Sequence, residues 1–313
     1  MGTNKNTVTG YVAGIAAGVS YGMNPLFARP LLLIGVPVMS MLFYRYIISV
    51  LIMGVWMLLR NESFKVTWRE LRLLALLGVL FASSSLFLFE AYRFIPSGLA
   101  TTVVYLYPVL VAMIMATQGV HHNWRTWMCI VASFCGVVLL CKPEEGGIHL
   151  TGMILSALSA LSYALYLVIV NRSERIRHIS DHTLTFYAMS VGSIMFLMLN
   201  MRHPQGLYEG LESASAVSDL IALAVFPTMI ALLTLAMATR AIGPTKTSVL
   251  GVFEPVTAIT VGTLFFGEPF TRNIAAGLAI CIGAVLFLIV SEHDMNRPVH
   301  RTGYGTAIAG HRR

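Results

Sequence analysis

Long runs without a single charged residue decide what this chain can become. Asn6–Ala28, Phe94–Val120, Leu220–Thr239 and Asn273–Ser291 each reach or approach the roughly 20 residues that cross about 30 Å of hydrocarbon. Backbone in lipid must satisfy its own polar groups, and runs of this length do so as helices. Across 313 residues only 11% are charged and 57% are hydrophobic, whereas a soluble domain carries about a quarter charged residues. The pattern predicts an all-α integral membrane protein with spans near 9–29, 36–59, 71–92, 96–117, 125–141, 150–170, 182–200, 218–240, 244–266 and 272–290.

The net charge of +7 could mark a nucleic-acid binder, but its placement reads as topology. With the N-terminus in the cytoplasm, that side holds Lys5, Arg60, Lys65, Arg69, Arg72, Arg125, Arg172, Arg175, Arg177, Arg240, Arg297, Arg301, Arg312 and Arg313. The other side holds Arg29, Arg93, Lys142, Arg202 and Arg272. This positive-inside bias predicts a multi-pass protein of the cell (inner) membrane, with both termini cytoplasmic, outward loops at 30–36, 142–149 and 201–217, and no nucleic-acid partner. Asn6–Ala28 exceeds a typical signal h-region and reads as a retained span. The loop Met201–Ser218 has room for a short interfacial helix, and residues 292–313 read as a disordered cytoplasmic tail.

The spans repeat. Gly10, Gly14, Gly18 and Gly22 form a small-residue ridge on span one, and Gly152, Ser156, Ala160 and Ala164 restate it on span six. Such ridges let helix backbones approach closely in lipid. Phe43-Tyr44-Arg45 matches Phe186-Tyr187-Ala188, Ala91-Tyr92-Arg93 matches Ala238-Thr239-Arg240, and Gly136 matches Gly283. Five spans recurring in order make a repeat of roughly 145 residues, here 8–143 and 148–291. Five is odd, so the second copy enters the membrane from the opposite side. The expected architecture is ten transmembrane helices as two inverted five-helix repeats, an arrangement found in many secondary transporters.

The stretch Gly243–Pro269 carries Glu254 directly before Pro255 near its middle, and its counterpart Pro96–Pro108 carries Tyr107-Pro108 there. A midplane carboxylate costs about 3 kcal/mol on insertion scales and needs a partner or a task. Pro108 and Pro255 each break a helix at depth, which is tolerated only against protein or a water-filled cavity. Counting about 1.5 Å per residue puts Glu254 about 15 Å deep from one face and Arg45 about 13 Å deep from the other. Arg45 is replaced by Ala188 in the second half, and Tyr107 stands for Glu254 in the first, so each half supplies one charge. This complementary loss predicts that Arg45 and Glu254 meet, directly or through water, either as a substrate site or as a purely structural ion pair.

Tyr21 with Asn24, and Tyr163 with Tyr166, form a polar-aromatic pair one helical turn apart in each half; a cavity face or ordinary helix packing would explain them. Ser84 within Ser83–Ser85, and Tyr105, offer further polar groups, though serine often bonds its own helix. Together Tyr21, Asn24, Arg45, Ser84, Tyr105, Tyr163, Tyr166 and Glu254 are the candidate substrate-binding residues. Glu90, one turn before Arg93, reads either as a solvated pair or as an acid at the outer mouth. Lys246 reads as a cation snorkelling to the cytoplasmic mouth. With Glu254, these two are the coupling or gating candidates.

Other chemistries find little support. Gly18-Val19-Ser20-Tyr21-Gly22 fits a hydrolase G-x-S-x-G pattern, but its glycines belong to a helical ridge and not to a strand–turn–helix elbow. No P-loop for ATP is present. Cys129, Cys135, Cys141 and Cys281 form no C-x-x-C and read as buried free thiols, with no metal or cofactor implied.

The glycine-rich first helix ending at Asn24, Arg45 in span two, Ala91–Ala100, Pro108, and Glu254-Pro255 followed by Phe266-Gly267-Glu268 together resemble the EamA-type transporters of the drug/metabolite transporter superfamily. The likeness covers residues 8–291. It implies export or exchange of small metabolites, often amino acids, across a lipid bilayer without ATP hydrolysis. One departure is Gly119-Val120-His121, where the family often has a Gly-Glu pair like Gly267-Glu268. The residues therefore predict a secondary transporter and no enzyme. A non-transporting scaffold or sensor, or a carrier of nucleotide sugars or drug-like cations, would be the alternatives.

Overall fold

A computed structural model of the chain describes residues 2–91, 94–95, 100, 103–119, 123–140, 150–201, 213–267, 271–273, 275–277, 279–280, 282–284 and 287. The helices are α1 (Gly2–Gly22), α2 (Asn24–Leu33), α3 (Val38–Leu59), α4 (Trp68–Ala91), α5 (Tyr107–Thr117), α6 (Trp124–Leu140), α7 (Leu150–Arg172) and α8 (Asp181–Asn200). They continue with α9 (Ala214–Ile242), α10 (Pro244–Leu250) and α11 (Phe253–Phe266). Among the described residues, six segments are long and apolar enough to cross a membrane: Val38–Leu59, Trp68–Ala91, Leu150–Arg172, Asp181–Asn200, Ala214–Ile242 and Pro244–Phe266.

Four interruptions among the described residues shape the interior, one of them the turn Tyr105–Leu106 that leaves Pro108 in the first turn of α5. The expected continuous span 9–29 stops at Met23, and α2 restarts with Pro25 in its first turn, where a missing N–H leaves no bond unmade. The helix then runs to Leu33, so the loop expected from residue 30 begins later. The span carrying Glu254 is broken as expected, but at Gly251–Val252, a turn ahead of Pro255. Pro255 thus sits in the first turn of α11, and the break falls on the backbone before it. The third interruption is a π-helical turn, Val225–Ile230, inside α9 around Pro227. A proline in a helix interior frees a carbonyl and pushes the chain out of α register.

The glycine ridge seats α1 on the second half of the chain. Gly10 lies against Ala241 and Ile242, Gly14 against Leu250, Gly18 against Phe253 and the Leu250 carbonyl, and Gly22 against Thr257 and the Glu254 carbonyl. Helix pairing is reciprocal. α1 packs along Ala231–Ile242 of α9 and on α11, α7 packs along α4 and on α5, and α3 packs against α8. The buried residues of both halves form one continuous core.

The thiols divide: Cys129 is buried as expected, whereas Cys135 is exposed on α6 and faces outward from the bundle. Cys141, Cys281, Arg93, the tail 292–313 and most of the loop 201–217 lie outside the described residues.

Candidate functional site

Arg45 is the largest fully buried side chain, with 1% of its surface exposed. Its direct hydrogen-bond partners come from α9. The guanidinium donates from Nε to Thr228 Oγ1 at 2.8 Å and from Nη2 to the Pro227 carbonyl at 3.2 Å. Thr228 Oγ1 in turn donates to Leu223 O at 2.8 Å. Both acceptors belong to the π-helical turn of α9, and the Leu223 carbonyl that Pro227 leaves without an N–H is met by the Thr228 hydroxyl. Ser49, one turn along α3, donates to Ala224 O at 2.7 Å and ties the same two helices. Arg45 and Glu254 make no direct ion pair among the described residues, although both line one cavity.

That cavity, about 50 Å³, is lined by Tyr21, Asn24, Arg45, Phe81, Ser84, Ser85, Leu88, Phe89, Val104, Tyr163 and Glu254. Six of the eight substrate-binding candidates thus converge from five helices, α1, α2, α3, α4, α7 and α11 counting the two pieces of the first span as one. Two of them bring unanswered polar atoms. The Tyr21 hydroxyl and Asn24 Oδ1 are buried without a hydrogen-bond partner among the described residues. Such groups cost roughly 1–3 kcal/mol each when left unmade, so a ligand or water that met them would bind favourably. Glu254 stands in the first turn of α11, where the helix dipole favours a carboxylate. Tyr21, Phe81 and Tyr163 supply aromatic walls, with Tyr21 and Tyr163 centroids 6.3 Å apart and edge-on.

The other candidates have different surroundings. Ser84 shares a 3.1 Å hydroxyl contact with Ser159, whose own hydroxyl donates to Ser84 O at 2.7 Å, so it joins α4 to α7 as well as facing the cavity. Tyr105 and Tyr166 are not among the lining residues. Tyr166 is buried against Phe81 at 5.4 Å. Tyr105 donates to Val249 O at 3.4 Å, and Tyr107 donates to Ser248 O at 3.1 Å. These carbonyls belong to the last turn of α10, next to the break, and the first-half tyrosines satisfy them. Gly251 has no side chain because the Tyr107 hydroxyl lies on it. Glu90 and Lys246 are partly buried and lie outside the cavity wall.

Residue reading alone overlooked Thr228, Pro227, Ser49 and Tyr107's latch. The one visible signal was Pro227 in the middle of an otherwise unbroken apolar run. Among the described residues no three of His, Cys, Asp and Glu converge on a point, so no metal site can be built from them.

The model of the EamA-like transporter family matches the chain twice, at residues 8–141 and 150–290. An uncharacterized transporter of Archaeoglobus fulgidus is 27% identical over 190 residues, 60% of this chain and 66% of that protein. The uncharacterized transporter YdfC of Bacillus subtilis is 24% identical over 73% of this chain and 74% of its own length. Protein PecM of Dickeya dadantii is 26% identical over 71% and 73% respectively. A crystal structure of 17% identity superposes with a TM-score of 0.77 over 92% of this chain and 99% of that one, a likeness of fold.

Proposed function

The chain belongs to the EamA-like transporter family and is a membrane transporter rather than an enzyme; from that premise we propose that it is a secondary transporter exporting or exchanging small amphiphilic metabolites, amino acids first among them, by alternating access without ATP hydrolysis. The observation that carries this reading is the convergence of Arg45, Glu254, the Tyr21 hydroxyl and Asn24 Oδ1 on one aromatic-walled cavity. A zwitterion matches that set. Its carboxylate would meet the guanidinium N–H groups that Thr228 and Pro227 leave unused. Its ammonium would meet the Glu254 carboxylate and Asn24 Oδ1, with an apolar side chain against Tyr21, Phe81 and Tyr163.

A volume of about 50 Å³ holds one or two waters at about 30 Å³ each, so a solute needs the helices to move apart. The Tyr105 and Tyr107 bonds to α10 cross from the first repeat to the second and are the contacts that such a movement would break. In this reading the chain forms ten spans as two inverted five-helix repeats in the cell membrane, with both termini cytoplasmic. The reciprocal packing of α1 on α9 and α11, and of α7 on α4 and α5, supports the inverted pairing.

The test is counterflow into proteoliposomes loaded with one unlabelled solute at a time. Accumulation of labelled zwitterionic amino acids is expected. Flux confined to organic cations or nucleotide sugars would contradict the assignment of the paired charges.

A further inference from the structure

A second cavity lies away from the central site, at the end of the bundle that the charge bias assigns to the cytoplasm. Its volume is about 320 Å³, and it is lined by Val170, Asn171, Arg172, Glu174, Arg177 and Arg240. Three guanidiniums face one carboxylate there. From this we propose that it is a binding site for a phosphate-bearing anion, either a phospholipid headgroup or a soluble phosphate compound.

The arginines are held in place from both halves of the chain. Arg172, the last residue of α7, donates from Nε to Gln118 Oε1 at 3.1 Å, just past the end of α5. Arg240 donates from Nη1 to Ile179 O at 2.5 Å and from Nη2 to Ile176 O at 3.1 Å, and Asp181 lies 3.1 Å from Nη1. Asp181 offsets part of that charge, but Arg240 Nε remains buried without a partner among the described residues. Arg177 stands exposed on the connector between α7 and α8 and is free to fold over a ligand. A fixed guanidinium presents paired N–H groups that match phosphate oxygens, which a lysine cannot do. The volume lies within the range of about 300–1,000 Å³ usual for small-ligand sites. Basic pockets between transmembrane helices at this depth are known to take phospholipid headgroups. An occupant would join the ends of α7 and α9 and the connector that carries Glu174 and Arg177, all within the second repeat.

Thermal unfolding of the purified full chain in neutral detergent tests this with two probes, inorganic phosphate and phosphatidylglycerol, each against phosphatidylcholine alone. Saturable stabilisation is expected. A response to phosphatidylglycerol only assigns the site to lipid, and a response to inorganic phosphate as well assigns it to the free anion. Arg172→Gln/Arg177→Gln should weaken the response about a hundredfold, the loss of two charge-assisted bonds at about tenfold each. Lys65→Gln/Arg69→Gln, at the same end but outside the cavity, should leave it unchanged. If the double variant fails to fold, Arg177→Gln alone is measured, with about a tenfold loss expected. No saturable response to either probe, a full response in the cavity variants, or an equal loss in the Lys65/Arg69 control would overturn the proposal.

Discussion

Arg45 and Glu254 share a cavity wall without touching, and this separates two effects that a direct ion pair would merge. In the proposed mechanism, stability rests on the Arg45–Thr228–Pro227 contacts and transport on the charges that face the cavity. Thr228→Val, nearly isosteric, removes the acceptor for Nε and leaves a buried guanidinium short of one bond. It should lower stability by about 1–3 kcal/mol, read as a drop in thermal midpoint. An unchanged midpoint would mean that the π-helical turn does not anchor the cation. For Arg45→Gln and Glu254→Gln, the stability losses should add in the double variant, because the two groups do not meet. Flux should fall to background in each single variant, because one solute bridges both groups. Flux retained by Arg45→Gln alone would show that the two charges serve different steps.

At the scale of the element, the breaks govern what the helices can do. Gly18→Leu places carbon where a Cβ alone would already sit 2.9 Å from Phe253 Cβ and 3.1 Å from the Leu250 carbonyl. It should prevent normal assembly, seen as low yield or early unfolding; normal stability would show that α1 does not seat on the break. Gly251→Ala would drive the Tyr107 hydroxyl off the last turn of α10 and open the cross-repeat latch. Tyr107→Phe added to it relieves part of the overlap, so the double variant should be more stable than Gly251→Ala alone. Equal instability would mean that the hydroxyl is not what Gly251 accommodates.

These elements also show what residues reveal before folding. The break near Glu254 could be expected from Pro255, and the glycine ridge named its own close-packed face. The stop at Met23 was signalled by Asn24-Pro25, but proline in the first turn of a helix and proline ending a helix look alike in a string of letters. The π-helical turn was harder still. Pro227 marks a disturbance, yet only the fold brings Arg45 across to the Pro227 carbonyl and the Thr228 hydroxyl. The pairing logic of Arg45 and Glu254 allowed a meeting through water, and the two residues line one cavity without a direct ion pair among the described residues. Charge counting sees that a buried cation needs partners and cannot see that backbone dipoles supply them.

For the whole molecule, alternating access requires that the two ends of the bundle face different compartments. Cysteine placed at Arg175 should resist an impermeant thiol reagent in intact cells, while cysteine at Ser213 should react. The reverse pattern would turn the topology over and place the arginine cavity outside.

The central claim is that the cavity containing Glu254 is where the transported solute binds. Glu254→Gln keeps the shape of the side chain and removes its charge, so the protein should fold, express and unfold much as the wild type does. The direct measurement is counterflow of a zwitterionic amino acid by this variant in proteoliposomes, at matched protein content. Folded protein whose flux falls to the level of empty vesicles is expected, and wild-type flux from Glu254→Gln would place solute binding elsewhere.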